Sequence, residues 1–477
     1  MDDVAEFLDS KRAPVNEETR KKRIEGKSES ELFPYYGANG QVGLIDGYIF
    51  DEPLVLLAED GGTFDRLGQA AYRVSGRTWV NNHAHVLRPF PGVDVGYLQH
   101  VLNASNLMPF VSGTTRLKLT QNSAKRIPLP LAPEDHQRKI SSEIDKLFYE
   151  LNAGRIAIQE GLKLLGRARQ SILSKAFQGK LSRRDPGDER LEQLLIRLGQ
   201  KNTLNAQWNV GTARLPADEC DQTNSGKLGD AGLPKLPSGW VWLSFGRFIE
   251  SMKNGIYKKP QYYGSGIPCL RMYNIEDGAI VWKDVKLMKL SDDEVQEYGL
   301  TDGDILLNRV NSRELVGKAA VIPAGLGDLV FESKNIRIRV WRDMIEPRYL
   351  TLYLQTTLAR TQIASRAKQT VGMATVSQDD IAKWPIPYCS PKEQQRLVDQ
   401  LEAGFQRMAS IQKCAEEAIA DSNRIEVSVL VNAFRGNLVA NNQSQVSAST
   451  LLERIKEWRT RGAGSRNGMN EVQVQWN

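Results

Sequence analysis

The chain is built twice, and that limits what it can fold into more than any other feature. LTQNSAKRIPLPLAPEDHQRKI from Leu119 returns as VSQDDIAKWPIPYCSPKEQQRLV from Val376, a shift of about 257 residues. Gln121 falls on Gln378, Arg126 on Lys383, Pro128 on Pro385 and Pro130 on Pro387; after one inserted residue, Pro133 falls on Pro391, Gln137 on Gln395 and Arg138 on Arg396. Further on, AFQGKL from Ala176 matches AFRGNL from Ala433. Matches in this order at one nearly constant offset mean that each copy is a structural unit.

Between these landmarks each copy reads as one long helix. Pro133 and Pro391 stand where a first-turn proline is tolerated, Glu134, Asp135 and Glu393 follow where the helix dipole favours acids, and Gly179 and Gly436 mark the ends. Ile140, Ile144, Leu147, Leu151, Ile158, Leu165 and Ile172 keep a heptad rhythm, with Gly154, Gly161 and Ala168 at the remaining positions. The second helix keeps the frame more loosely through Leu401, Phe405, Met408, Ala415, Ile419, Ile425, Val429 and Ala433. The small residues predict a close approach of the two helices, paired within the molecule as an antiparallel coiled coil. At 1.5 Å per residue such a helix is a rod of roughly 65 Å, close to two turns of B-DNA, and serves as a spacer.

Ahead of each helix lies a β-rich segment. GLIDGYIF, PLVLLA and TWVNNHAHVLRP in the first copy, and GIPCLRMYNI, GDILLNRV, GKAAVIP and KNIRIRVW in the second, are strand-like runs parted by glycine turns. The fold class is therefore α+β: two β-rich α/β domains joined by two long helices in a tandem repeat. The expected boundaries are 1–132, a long helix at 133–182, a polar connector at 183–236 holding the amphipathic piece LEQLLIRLG, a second domain at 237–388, a second helix at 389–440, and a tail at 441–477 holding LLERIKEW and ending in disorder. With 477 residues, 41% of them hydrophobic, each domain can bury a real core.

Sixty-three basic against 57 acidic residues leave a net charge of +6, which suits a polyanionic partner without requiring one. Cys220, Cys269, Cys389 and Cys414 show no CxxC spacing, so neither a disulfide framework nor a zinc cluster is expected, and a reducing cytoplasm fits. MDDVAEFLDSKR carries no signal-peptide core, and no run approaches a membrane span. No GxxxxGK[ST] phosphate loop, Asn-Pro-Pro or Asp-Pro-Pro is present.

This architecture resembles the specificity subunit of type I restriction-modification systems, in which two target-recognition domains are each followed by a repeated long helix. The wording that carries the resemblance is SKRAPVNEETR from Ser10, PYYGANG from Pro34, VLLAEDGG from Val55 and WVNNHAHVL from Trp79, then SGWVWLSFGRF from Ser238, NIEDG from Asn274 and GDILLNRVNS from Gly303. It covers roughly residues 1 to 440. One departure stands out: such domains usually open with a Gly-Trp strand like SGWVWLSF, yet the first begins near the counterpart of Gly246, around Val4 to Phe7. A truncated start and another element completing that sheet are both open.

The resemblance implies a non-catalytic DNA-binding adaptor that docks two modification subunits and further restriction subunits. S-adenosylmethionine, ATP and Mg would belong to those partners, with no cofactor in this chain. The adaptor would read a bipartite, asymmetric site in double-stranded DNA.

Reading base edges needs amides and guanidiniums, whereas phosphates are met by cations and hydroxyls. In the second domain the candidates are Asn308, Arg309, Asn311, Ser312 and Arg313, with Arg271 and Asn274. In the first they are Asn81, Asn82, His83, His85, Tyr35, Tyr36 and Asn39, with Lys11, Arg12, Arg116 and Lys118 for phosphates. Each has a plain rival. His83 and His85 flank one alanine on a strand and share a face, as metal ligands or hydrogen-bonding residues would; no third ligand accompanies them, and no metal is expected. Asn39, between Gly37 and Gly40, suits a turn, Tyr35 and Tyr36 suit packing, and Arg309 and Arg313 suit salt bridges. Two other functions compete: a helical scaffold without sequence-specific binding, and a free-standing nuclease, echoed in Glu332-Ser333-Lys334.

Overall fold

The computed structural model describes residues 1–65, 68–182, 184–204, 233–370, 372–440 and 446–465. Cys220, most of the expected connector and the end of the expected tail lie outside these residues. The chain forms two compact units, Met1–Glu160 with Cys414–Asn477, and Gly161–Lys413.

In the first unit the strand Leu54–Ala58 is buried throughout, because its alternating side chains feed two cores. Val55 and Leu57 join Ala5, Leu87, Leu98 and Leu102, while Leu54 and Leu56 join Val80 and Val86. At about 1.5–3 kcal/mol per buried large aliphatic side chain, this strand anchors the domain. Its sheet runs Ala5–Phe7, Ala84–Pro89, Leu54–Ala58, Ala71–Val74, all antiparallel. A second sheet runs Gly40–Ile45, Phe33–Gly37, Arg77–Val80, Phe50–Asp51, with Phe33–Gly37 and Arg77–Val80 parallel.

The second unit repeats this plan. Ile249–Asn254, Asn335–Val340, Ile305–Asn308 and Ala319–Val321 form the antiparallel sheet in the same order, and Tyr263–Leu270 pairs in parallel with Val330–Phe331. Ile305 and Leu307 enter one core and Leu306 another.

The long helices are Glu134–Ala176 and Pro391–Phe434. Each domain is stitched to the start of one of them by a buried glutamine. Gln137 accepts the Asp94 N–H at 2.9 Å and donates to the Ala132 carbonyl at 2.8 Å. Gln394 accepts the Glu346 N–H at 2.9 Å and donates to the Cys389 carbonyl at 2.8 Å. The structural counterpart of Gln137 is thus Gln394, not Gln395, and the inserted residue disappears. The prolines had suggested it: Pro133 immediately precedes its helix whereas Pro391 opens its own, with Ser390 capping Glu393 N–H at 3.1 Å. Each domain also meets the end of the other helix, through Phe434 on Tyr97 and Phe177 on Tyr349, ring centroids 5.4 and 5.0 Å apart.

Ile140, Ile144, Leu147, Leu151, Ile158, Leu165 and Ile172 are all buried or half-buried, as are Leu401, Phe405, Met408, Ala415, Ile419 and Val429. The small residues do not share that seam. Gly154, Gly161 and Ala168 are exposed, and a Cβ at either glycine would meet nothing within 4 Å. Arg155, Leu162 and Arg169 take their places. Arg155 pairs with Glu426 in the first unit; in the second, Arg169 lies 4.6 Å over the Phe405 ring and donates to Gln355 at 2.6 Å. Ile425 is likewise 48% exposed, with Ser422 buried in its stead.

The strand Val241–Ser244 pairs with Pro385–Tyr388, and the Phe245 N–H then donates to the Trp384 carbonyl at 2.8 Å. In the first unit the Met1 ammonium occupies the latter place, donating to Ile127 at 2.6 Å. No strand among the described residues pairs there as Val241–Ser244 does. The helix Ala448–Ser465 closes over this region, with Leu451 and Ile455 in the core and Arg459 donating to the Asp2 carbonyl at 3.1 Å. The helix Leu191–Leu204 does the same in the second unit through Leu194 and Leu198. Among the described residues no helix is long and apolar enough to cross a membrane.

Candidate nucleic-acid interface

The ends of the two central strands set a polar rim in each domain. In the first, Ala58 leads into Glu59 and Asp60, whose N–H at Glu59 donates to the His83 carbonyl at 2.8 Å. Arg12 reaches Glu59 at 2.7 Å and the Ala84 carbonyl at 2.8 Å, and Lys118 reaches Glu59 at 3.0 Å. Asp60 takes His83 and Arg116, both at 2.9 Å. Beneath lies His85, with Nδ1 2.6 Å from Asp9 and Nε2 2.7 Å from the Leu119 carbonyl.

These placements divide the candidates. Lys11, Asn82, Arg116 and Lys118 are exposed and His83 half-exposed, so they can meet a ligand. Asn39 is exposed but its amide donates to Gly61 at 2.9 Å, as a turn residue would. Arg12, Tyr35, Tyr36, Asn81 and His85 are spent on the fold. Tyr35 is 3% exposed and exchanges hydrogen bonds with the Val15 backbone, Tyr36 packs on Tyr72, and Asn81 accepts the His83 N–H. His83 and His85 do not work as a pair: one bonds Asp60 at the rim, the other is buried.

The histidine reading also missed two carboxylates that the fold supplies. Asp9, Glu59 and His85 bring ligand-type atoms within 4.8 Å of one another, the one such group among the described residues. Both nitrogens of His85 are already hydrogen-bonded and Glu59 is held by two cations, so the cluster is internally compensated.

In the second domain Asn274, Asn308 and Asn311 are buried and hold backbone. Asn274 donates to the Val281 and Lys283 carbonyls, both at 2.9 Å, and Asn308 donates to Lys334 at 3.0 Å while accepting from Asn311 at 2.8 Å. A turn must satisfy its inward carbonyls, and an asparagine amide does so without bringing charge. Arg271 is only partly available, bonded to Asp284 at 2.9 Å and stacked 5.4 Å from the Tyr273 centroid. Arg309 and Ser312 are half-buried and Arg313 exposed. Glu332 accepts the Met272 N–H at 3.3 Å and joins no carboxylate cluster.

Residue-by-residue reading overlooked several groups. A cleft in the first domain is lined by Asn16, Arg20, Tyr35, Val42, Asn82 and His83, and brings Arg20 over the Tyr35 ring at 5.0 Å. In the second domain Tyr257, within GIYKKPQYYG, and Tyr273, beside Arg271, are 76% and 59% exposed. Tyrosines interleaved with lysines were the available signal.

One sheet plan made twice, each copy with its own polar rim, defines a protein of two like domains. Residues 1–160 match the family model of the type I restriction modification DNA specificity domain. The chain is similar to the type I restriction enzyme EcoKI specificity subunit of Escherichia coli K12, 25% identical over 80% of this chain and 75% of the relative. It is also similar to the StySPI specificity subunit of Salmonella potsdam, 23% identical over 88% and 83%. Its fold matches a chain solved under the heading of complex assembly and conformational transition of the type I R-M system, at 19% identity, TM-score 0.55, covering 85% and 92%. Over most of its length the chain is thus similar to specificity subunits of type I restriction-modification systems.

Proposed function

We propose that the chain reads a bipartite, asymmetric site in double-stranded DNA, one half per domain. It docks two adenine-methyltransferase modification subunits and the restriction subunits along its helices. S-adenosylmethionine, ATP and Mg act in those partners, the chain has no catalysis of its own, and the complex works in the cytoplasm. The observation that carries this reading is the duplicated sheet order with unlike rims: an identical scaffold predicts identical docking to two copies of one partner, while unlike rim groups predict unlike half-sites. Because an adenine must leave the stack to be methylated, each domain would present one half-site to one active site.

The test is adenine-methylation sequencing of DNA from a host expressing the chain with its modification subunit. A split motif methylated in both halves is expected, and replacing residues 237–388 with another recognition domain should change one half only. A soluble complex yielding no motif would favour the scaffold alternative. Change in both halves would overturn the division of labour between the domains.

A further inference from the structure

The two rims can be superposed by their hydrogen bonds, and one position then stands out. Leu57 and Ala58 pair with His85 and Ala84, and Leu307 and Asn308 pair with Ile336 and Asn335. The next residue donates its N–H to the His83 carbonyl from Glu59 and to the Lys334 carbonyl from Arg309, both at 2.8 Å. Its carbonyl accepts from Leu119 in one case and Val376 in the other. Arg309 therefore occupies the place of Glu59.

The surroundings have changed with it. Around Glu59 stand His83, His85 and Lys118, with Arg12 completing the neutralisation. The corresponding second-domain residues are Lys334, Ile336 and Thr375, none of them a carboxylate. Among the described residues the Arg309 side chain has no hydrogen-bond or ion-pair partner, and its Nε is buried without an acceptor. The nearby Glu332 is turned to the Met272 N–H. A half-buried guanidinium with nothing to answer it weakens a fold, so its partner is to be sought outside the chain.

We infer that Arg309 is a specificity-determining residue of the second domain and pairs with the O6 and N7 acceptors of a guanine in that half-site. This rests on the proposed DNA-reading function. A planar fork of donors suits two adjacent acceptors on one base edge. The backbone of Arg309 is held on both sides, by the Lys334 carbonyl and the Val376 N–H, so the half-buried side chain leaves the rim from a fixed point.

The experiment uses the whole chain with its modification subunit and compares Arg309→Met and Arg309→Lys with the parent, reading methylated motif, DNA affinity and thermal midpoint. Arg309→Met is expected to leave the midpoint unchanged or raised, to leave the first half-site intact, and to relax one G·C position of the second by about 10- to 100-fold. Arg309→Lys should keep most of the affinity but not the discrimination, since an ammonium lacks the fork. Four results would overturn the inference: a lowered midpoint in Arg309→Met, a structural role; uniformly weaker binding with an unchanged motif that lysine restores, a phosphate contact; an unchanged motif and affinity; or relaxation at an A·T position. A parent complex with no split motif would instead sink the DNA-reading function on which the inference stands.

Discussion

The imidazole of His85 lies between two acceptors, the Asp9 carboxylate and the Leu119 carbonyl, with 1% of its side chain exposed. Both ring nitrogens thus have a partner, and the ring is fixed between strand and loop by the two contacts. Burial works to raise the Asp9 carboxyl, but the hydrogen bond and charge of His85, the Val86 N–H and Arg12 outweigh it and hold Asp9 below its ordinary value. Burial likewise opposes, and Arg12 and Lys118 overcome it in, the lowering of Glu59. Carboxyls depressed in the fold contribute stability that is present above their unfolded values and lost as pH falls through the folded ones. The first domain should therefore lose thermal stability on acidification from about pH 5 to pH 3, followed by calorimetry. His85→Ala, which removes one of the partners of Asp9 and leaves it the Val86 N–H, Gln121 and Arg12, should cost about 2 kcal/mol at neutral pH and flatten that acid dependence. An unchanged acid profile would show that the cluster contributes nothing. No sequence pattern announces this group: Asp9, Glu59 and Leu119 are far apart in the chain, and only strand pairing gathers them around His85.

At the scale of the element, the long helices show where a heptad frame fails. A strict seven-residue repeat drifts by about 20° per heptad against the roughly 3.6-residue period of a straight helix, so a frame begun at Ile140 has turned about 40° off the buried stripe by Gly154. The buried stripe steps instead to Arg155, Leu162 and Arg169; the stems of the two arginines cover apolar surface while their heads find Glu426 and Gln355. Gly154 and Gly161 are solvent-facing helix glycines. Gly154→Ala and Gly161→Ala should each stabilise the protein by about 1 kcal/mol in chemical denaturation, because alanine favours the helix and its methyl meets nothing. A close-packed seam would give the opposite sign.

For the whole molecule, the helix following each long helix closes a recognition domain: Leu191–Leu204 the second, and Ala448–Ser465 the first. Leu451, 2% exposed, is the plug of the latter, and Trp458 packs at a tilt against Phe90, ring centroids 5.4 Å apart. Leu451→Ala should destabilise the first domain by about 3 kcal/mol. Hydrogen exchange should then rise in Met1–Glu160 and stay unchanged around Ile305–Asn308; equal loss in both would mean that the domains do not melt separately.

The sequence alone determined the duplication, the two long helices and the β-rich domains before them, because repeats, periodicity and punctuating glycines and prolines are local signals that the fold had no reason to override. WVNNHAHVL and LLNRVNS, which the sequence singles out, both end at the rims. What it could not determine was which of their polar residues face outward. Asn274, Asn308 and Asn311 have the same chemistry as Asn82, yet Asn274 and Asn308 satisfy backbone carbonyls, Asn311 bonds the Asn308 side chain and the Ser312 N–H, and only Asn82 is exposed. That choice belongs to tertiary structure, since a buried backbone carbonyl takes the nearest amide the fold offers, and the nearest in space is not the nearest in sequence.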